Sequence, residues 1–250
     1  MTTNKEENGT GDACSLSRLA STLDHSYLDP LSFFVSWQGV LTLAYKGFSP
    51  ALARYKCSLN SSCRELPREN PGSKWPKTTL GALKDNKRLT PQDLSALIDV
   101  CRSFQASLES NAERVLVDHL TLVLYKCRSL EKCIERTRIS LNPQERVDQS
   151  RPSQSEQDNV QAVLQEADHP SYWVRASQDG NRESHYRGVA LGCTLVADLV
   201  TIISNSDQGR TSKLLQIIRA FRHQVDSILP DMYAWFDEAS LHVTVRALMG

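Results

Sequence analysis

The chain has 250 residues, with 29 Lys+Arg against 29 Asp+Glu, 40% hydrophobic and 23% charged residues. That length carries one large domain or two small ones with a buried core. A formal charge of zero excludes the bulk electrostatic steering of a generic polyanion binder, so any nucleic-acid contact is expected to be local.

The start, MTTNKEENGTGD, lacks the apolar core of a secretory signal. Residues 1–30 are polar apart from Leu16 to Leu23 and read as a flexible tail. SFFVSWQGVLTLAYKGF is rich in β-formers and aromatics and predicts a strand over Val40 to Lys46. Ser49-Pro50 supplies an N-cap and a first-turn proline for the helix SPALARYKCSL. RELPRENPGSKWPK, with three prolines and a glycine, is a loop, and KTTLGALK is the next strand. Thr90-Pro91 opens the helix TPQDLSALIDVCRSFQASLES, whose Leu94, Leu97, Ile98, Cys101, Phe104 and Leu108 form one stripe. RVLVDHLTLVLYKC is a β run, and SLEKCIERTRISL reads as helix. Residues 142–168, depleted of aromatics and rich in Gln, Ser, Glu and Asp, read as a disordered insert. Turn signals at Asp179-Gly180-Asn181 precede a β run over Tyr186 to Leu199, which Asp207-Gln208-Gly209 breaks. SKLLQIIRAFRHQVDSIL is a second amphipathic helix, and LHVTVRAL is the closing strand. No stretch approaches ~18 consecutive apolar residues, so no membrane span is expected.

Helices alternating with strands predict an α+β fold with helices packed on antiparallel-rich sheets. The order also divides into two strand–helix–strand halves, one ending in KTTL and the other in HVTV, as a duplicated unit would. The seven cysteines are scattered, and the closest pairs leave five residues between them, outside zinc-knuckle spacing. They read as reduced thiols of a cytoplasmic or nuclear protein. A central strand ending at the last residue raises the expectation of a longer natural chain.

The chemistry concentrates in His242-Val243-Thr244-Val245. Period-two geometry puts His242 and Thr244 on one face of a strand, about 7 Å apart. An imidazole moves protons near neutral pH, and a hydroxyl holds a phosphate oxygen. Arg246, two residues further on, is a phosphate-binding candidate by the same alternation. The competing reading is the solvated face of an amphipathic strand. Exposed aromatics at Trp75, Tyr172 and Trp173, and the RESHYR cluster at Arg182 to Arg187, are weighed in the same way: stacking or phosphate contacts against packing or a solvated turn.

EASLHVTVRALMG resembles a motif of the two-histidine phosphoesterase superfamily, which includes 2′-5′ RNA ligase-like proteins and cyclic nucleotide phosphodiesterases. The likeness in layout runs from about Val40 to Gly250. It implies a bilobal, pseudo-twofold fold over residues 31–250 in which each lobe offers one His-x-Thr-x across a central cleft. One histidine activates the nucleophile and the other protonates the leaving oxygen, typically on a 2′,3′-cyclic phosphate. No metal or cofactor is required, the partner is a nucleotide or an RNA terminus, and the chain is expected to act as a monomer. Two registers compete for the first motif. Element order selects Lys77-Thr78-Thr79-Leu80, where a lysine replaces the histidine and Thr79 is kept. Literal matching selects His119-Leu120-Thr121-Leu122, with His119 and Thr121 as catalytic residues. In the first case Lys77 and Thr79 bind phosphate, and the protein is a hydrolase with an altered pair or a non-catalytic RNA- or nucleotide-binding module. In the second the pair is complete, and hydrolysis follows.

Overall fold

A computed structural model describes residues 16–63, 66–67, 69, 74–142, 147–199 and 212–249. In chain order the elements are β1 (His25–Leu28), β2 (Pro30–Val35), β3 (Leu41–Tyr45), α1 (Pro50–Ser62), β4 (Lys77–Leu83), α2 (Pro91–Ser103) and α3 (Gln105–Asn111). Then follow β5 (Val115–Val117), β6 (His119–Tyr125), β7 (Cys133–Ser140), β8 (Val147–Asp148), α4 (Gln154–Ala167), α5 (Tyr172–Ser177) and α6 (Glu183–Arg187). The described chain ends with β9 (Gly192–Asp198), α7 (Lys213–Ile228), β10 (Tyr233–Trp235) and β11 (His242–Met249). The fold is α+β.

The helices begin where their caps dictate. Ser49 Oγ accepts the Leu52 N–H ahead of Pro50. Thr90 and Asp93 form a reciprocal capping box at α2, and Ser212 Oγ accepts the Leu215 N–H at α7; each satisfies first-turn donors that the helix leaves orphaned.

Two four-stranded antiparallel sheets organise the molecule, one in the order β10-β4-β3-β2 and the other β11-β9-β6-β7, with a small β5-β1-β8 sheet beside them. The two large sheets share a repeated unit. β3, α1 and β4 form strand–helix–strand with β3 and β4 antiparallel neighbours, and β9, α7 and β11 do the same. The registers also correspond: Lys77 pairs with Ala44 and Thr79 with Thr42, as His242 pairs with Asp198 and Thr244 with Val196. β4 and β11 lie alongside one another where the sheets meet.

One apolar core spans both sheets, joining Leu43 and Leu80 to Leu120, Leu195, Val243 and Val245. Phe33 of β2 stacks on Phe221 of α7 at 4.1 Å and 9°, and Phe104 meets both rings edge-on. A joint also ties the sheets together polar-side. Glu131 accepts two bonds from Arg187, and Arg187 in turn donates to Trp235 O next to Asp237, whose N–H reaches Glu131. Burial opposes charge on Glu131, but the bonds from Arg187, Ser129 and the Asp237 N–H outweigh it and hold its carboxyl down at about 2, against an ordinary 4.5. A depressed carboxylate stabilises the fold fully above about pH 4.5, and the contribution drains away as pH falls toward 2. Melting temperatures of wild type and Glu131→Gln are therefore expected to differ at pH 6 and to converge on acidification through that window. A constant gap would show that the charge is not what Glu131 contributes.

Several expected elements are corrected. Part of the supposed 1–30 tail is structured: residues 16–20 are helical, Leu16, Ala20 and Leu23 are buried, and β1 pairs with β5 and β8. Residues 1–15 lie outside the described chain. The supposed disordered insert at 142–168 holds β8 and α4, whose Val160, Val163, Leu164 and Ala167 pack on Phe34, Ala44 and Trp75 over one face of sheet β10-β4-β3-β2. The stretch SLEKCIERTRISL is not a helix. Leu130 takes a left-handed conformation that turns the chain, and β7 then runs as an edge strand against β6. All of its residues except Cys133 and Ile139 are exposed, which suits an edge facing water. The run from Arg114 to Cys127 splits at Asp118 into β5 and β6, in different sheets. Tyr186 is helical, so the following strand starts only at Gly192. The Asp207-Gln208-Gly209 break falls outside the described residues. No described helix is long and apolar enough to cross a membrane.

Candidate functional site

From His242 to Val245, β11 alternates as its sequence predicts. Val243 turns into the core, and His242 and Thr244 remain half-buried on the other face. His242 Nδ1 lies 2.7 Å from Ser240 O. A carbonyl can only accept, so Nδ1 carries the proton and Nε2 is left as the reactive nitrogen. Burial pushes the imidazole below its ordinary value, against the opposing effects of the Ser240 bond and the Asp198 charge. His242 is therefore neutral at neutral pH, with an Nε2 lone pair fit to accept a proton.

Directly opposite His242 in the ladder is Asp198, 6% exposed. Thr121 Oγ1 donates to one of its oxygens at 2.6 Å, and the Arg136 guanidinium bonds the other. Cross-strand partners share a face. His242, Thr244, Asp198, Thr121 and Arg136 thus share one face of sheet β11-β9-β6-β7, together with His119 and the buried Val123 and Val196. Among the described residues no group of three or more His, Cys, Asp or Glu side chains is arranged to hold a metal.

Arg246 does not belong to that surface. A bulge between Thr244 and Arg246 shifts the register so that Arg246 stands opposite Leu195, on the face of the main core, whereas Thr244 stands opposite Val196, which packs with Val123 and Leu130 on the other face. The extra residue reverses the alternation. Arg246 is 2% exposed and donates to Asn60 Oδ1 at 2.9 Å, Pro67 O at 2.6 Å and Ala247 O at 2.8 Å. It fastens β11 to the end of α1 rather than facing a phosphate. Arg246→Met is expected to cost about 1–3 kcal/mol of unfolding free energy in a urea titration, from the charge-assisted hydrogen bonds it removes, with no change in affinity for a phosphate ligand. A weakened ligand affinity at unchanged stability would reverse that assignment.

The two candidates for the first motif go to different places. His119 lies on β6, in the same sheet as His242 and two strands away, roughly 10 Å at the usual strand spacing. It is 1% exposed, its Nδ1 is bonded to the Asp118 carboxylate, and Thr121 is committed to Asp198. His119 and Thr121 therefore do not form a facing half. Lys77 and Thr79 lie on β4, in the other sheet, on the strand that runs beside β11. Thr78 turns inward and bonds the Tyr45 hydroxyl at 2.9 Å, which leaves Lys77 and Thr79 on the opposite face.

Lys77 has an unusual setting. Its Nζ sits 4.4 Å over the Trp75 ring, and burial followed by repulsion from Lys56 pushes its pKa down to about 8. Lys56 itself donates to Val245 O on β11 at 2.9 Å and pairs with Glu69 at 2.6 Å. Lys56 of α1 thus holds β11 and lies close enough to Lys77 to repel it. Trp75 packs on Phe34 beneath Lys77, Tyr172 is buried with its hydroxyl on Val35 O, and RESHYR includes the helix α6, whose Arg187 is held by Glu131 and Glu183, so Trp75, Tyr172 and Arg187 are committed to packing or ion pairs.

Asp198 and Arg136 are absent from the residues expected from sequence. Asp198 carried one signal, a carboxylate closing the apolar run GCTLVAD. Arg136 carried none, because its segment reads as a helix.

Comparison of the chain with protein-family models, with curated proteins and with solved structures finds no match.

Proposed function

We propose that this protein is a metal-independent phosphoesterase-like protein of the two-histidine layout, acting on RNA ends or 2′,3′-cyclic nucleotide phosphates, with Lys77 in place of one histidine. The observation that carries the reading is the repeated register. Lys77 and Thr79 occupy in β3–α1–β4 the positions that His242 and Thr244 occupy in β9–α7–β11, on strands lying side by side.

The chemistry follows from the two environments. His242 Nε2 takes a proton from water as the oxygen attacks phosphorus. The bond from phosphorus to one ribose oxygen breaks, and the Lys77 ammonium protonates that leaving oxygen. The product is a nucleoside monophosphate, and proton exchange with solvent resets both groups. Thr244 and Thr79 hydroxyls hold the non-bridging oxygens. A lysine of ordinary pKa is a poor partner for this task, but one held at about 8 remains protonated at neutral pH and gives up its proton readily. Asp198 steadies the imidazolium that forms.

A second reading rests on the same lysine. A cation braced over Trp75 also neutralises a phosphate without turnover, so a non-catalytic module for RNA termini is the alternative. Turnover of a 2′,3′-cyclic nucleotide by the purified protein, followed beside equilibrium binding of the 2′-phosphate product, separates the two: turnover supports the enzyme, and binding without turnover supports the module. Six described cysteines are free thiols, which supports placement in a reducing compartment, cytoplasmic or nuclear.

A further inference from the structure

A groove of about 540 Å³ opens between the β1–β2 turn, the start of β5 and the segment leading into α4. Its walls carry three cations, Lys46, Arg114 and Arg151, and three amides, Gln149, Gln157 and Gln161. This is nucleotide-sized space, and none of the residues belongs to the His242 surface.

Its charges are arranged unequally. Arg114 is fixed: its guanidinium lies 4.4 Å over the Tyr27 ring, pairs with Asp29 at 2.6 Å and donates to Gln149 at 3.0 Å. Asp29 thereby neutralises Arg114. Lys46 and Arg151 are both exposed, and among the described residues neither has a carboxylate partner. The groove therefore keeps about two uncompensated positive charges in a chain whose formal charge is zero. Such a local excess, lined by side-chain amides that both donate and accept, matches an anionic chain bearing hydroxyls and bases more closely than a purely acidic peptide. Lys46 directly follows β3, whose Ala44 pairs with Lys77, so the groove lies near the Lys77 end of its sheet.

We infer that this groove is a second binding site, for the phosphodiester backbone of single-stranded nucleic acid, away from the reactive end. The inference extends the phosphodiester reading of the cleft, but binding here does not require turnover there. Lys46 and Arg151 supply the contacts to phosphate oxygens; Gln161 on α4 offers its amide to the sugars and base edges, and Gln157, whose Nε2 donates to Pro152 O at 2.9 Å, offers its Oε1.

The test is fluorescence anisotropy of a labelled 12-nucleotide single-stranded RNA across a salt series, on the full chain. The double variant Lys46→Glu, Arg151→Glu is expected to bind at least about tenfold more weakly. Its slope of log affinity against log salt should be shallower by about 1.4, at ~0.7 for each of the two phosphates no longer neutralised. Matched reversals at Lys213 and Arg219 should leave binding near wild type, and melting curves should show both double variants folded. Equal weakening by the two pairs, or an unchanged salt slope in the first, overturns the site. Binding of poly-glutamate as tight as that of RNA overturns its assignment to nucleic acid. Turnover of a cyclic mononucleotide is expected to be the same in wild type and the Lys46/Arg151 variant. Loss of RNA binding in that variant with turnover intact isolates the groove, whereas absent turnover with groove-dependent binding retained sinks only the catalytic reading.

Discussion

His242→Ala is expected to lower kcat/KM for a 2′,3′-cyclic nucleotide by roughly 10²–10⁴-fold, the range that a positioned proton-transfer group contributes. The imidazole is anchored through Nδ1 to Ser240 O, so Nε2 is the nitrogen left for proton transfer. Asp198 is tied to Thr121 and Arg136, and His119, at 1% exposure, is more deeply buried than His242. His242→Gln is the useful companion variant, since it keeps a polar side chain of similar reach and removes only the titrating nitrogen. Both variants should melt near wild type. If either retains full turnover, His242 is an ordinary strand residue and the proposed chemistry is wrong.

The largest stability effect is expected at Phe221. It is fully buried at 0% exposure, stacked on Phe33 and met edge-on by Phe104. These rings join α7, β2 and the α2–α3 junction, so the repeat that carries β11 is held to the sheet that carries β4. Phe221→Ala removes both the burial and the ring contacts and is expected to cost about 3–5 kcal/mol of unfolding free energy. Urea titration checks this, with Phe221→Leu as a milder comparison that keeps most of the volume. A loss below about 1 kcal/mol would mean that the core relaxes around the hole and that the aromatic trio is not the joint between the halves.

Much of this architecture was legible because it obeys local rules. Ser49-Pro50 and Thr90-Pro91 announced two helices, and Ser49 and Thr90 cap them; the amphipathic pattern of SKLLQIIRAFRHQVDSIL announced a third, which Ser212 caps. KTTL and HVTV announced two strands, each closing a strand–helix–strand unit, and the structure adds that the registers of β4 and β11 correspond. The failures arise where tertiary context overrides composition. Residues 154–167 look solvated by content, yet Val160, Val163, Leu164 and Ala167 fall at helical spacing and find an apolar patch to cover. β7 looks helical by charge content, yet β6 needed an edge partner. The bulge after Thr244 has no sequence mark at all. It alone turned Arg246 from an expected phosphate ligand into an internal anchor. The choice between Lys77 and His119 could not be made from spacing, because it depends on which sheet each strand joins.

The central claim is that Lys77 and His242, on neighbouring strands, act as one acid–base pair. The pH dependence of kcat/KM for a cyclic nucleotide, in wild type and Lys77→Arg, tests it most directly. His242 must be neutral, so activity rises with pH through a value below that of an ordinary imidazole. Lys77 must be protonated, so activity falls as pH passes about 8. Arginine keeps the charge but does not release a proton in this range. The account predicts a bell in wild type, and in Lys77→Arg a rate lowered by roughly 10²–10⁴-fold with no alkaline limb. A wild-type profile flat past pH 9, or an alkaline limb near 8 that survives in Lys77→Arg, would contradict it.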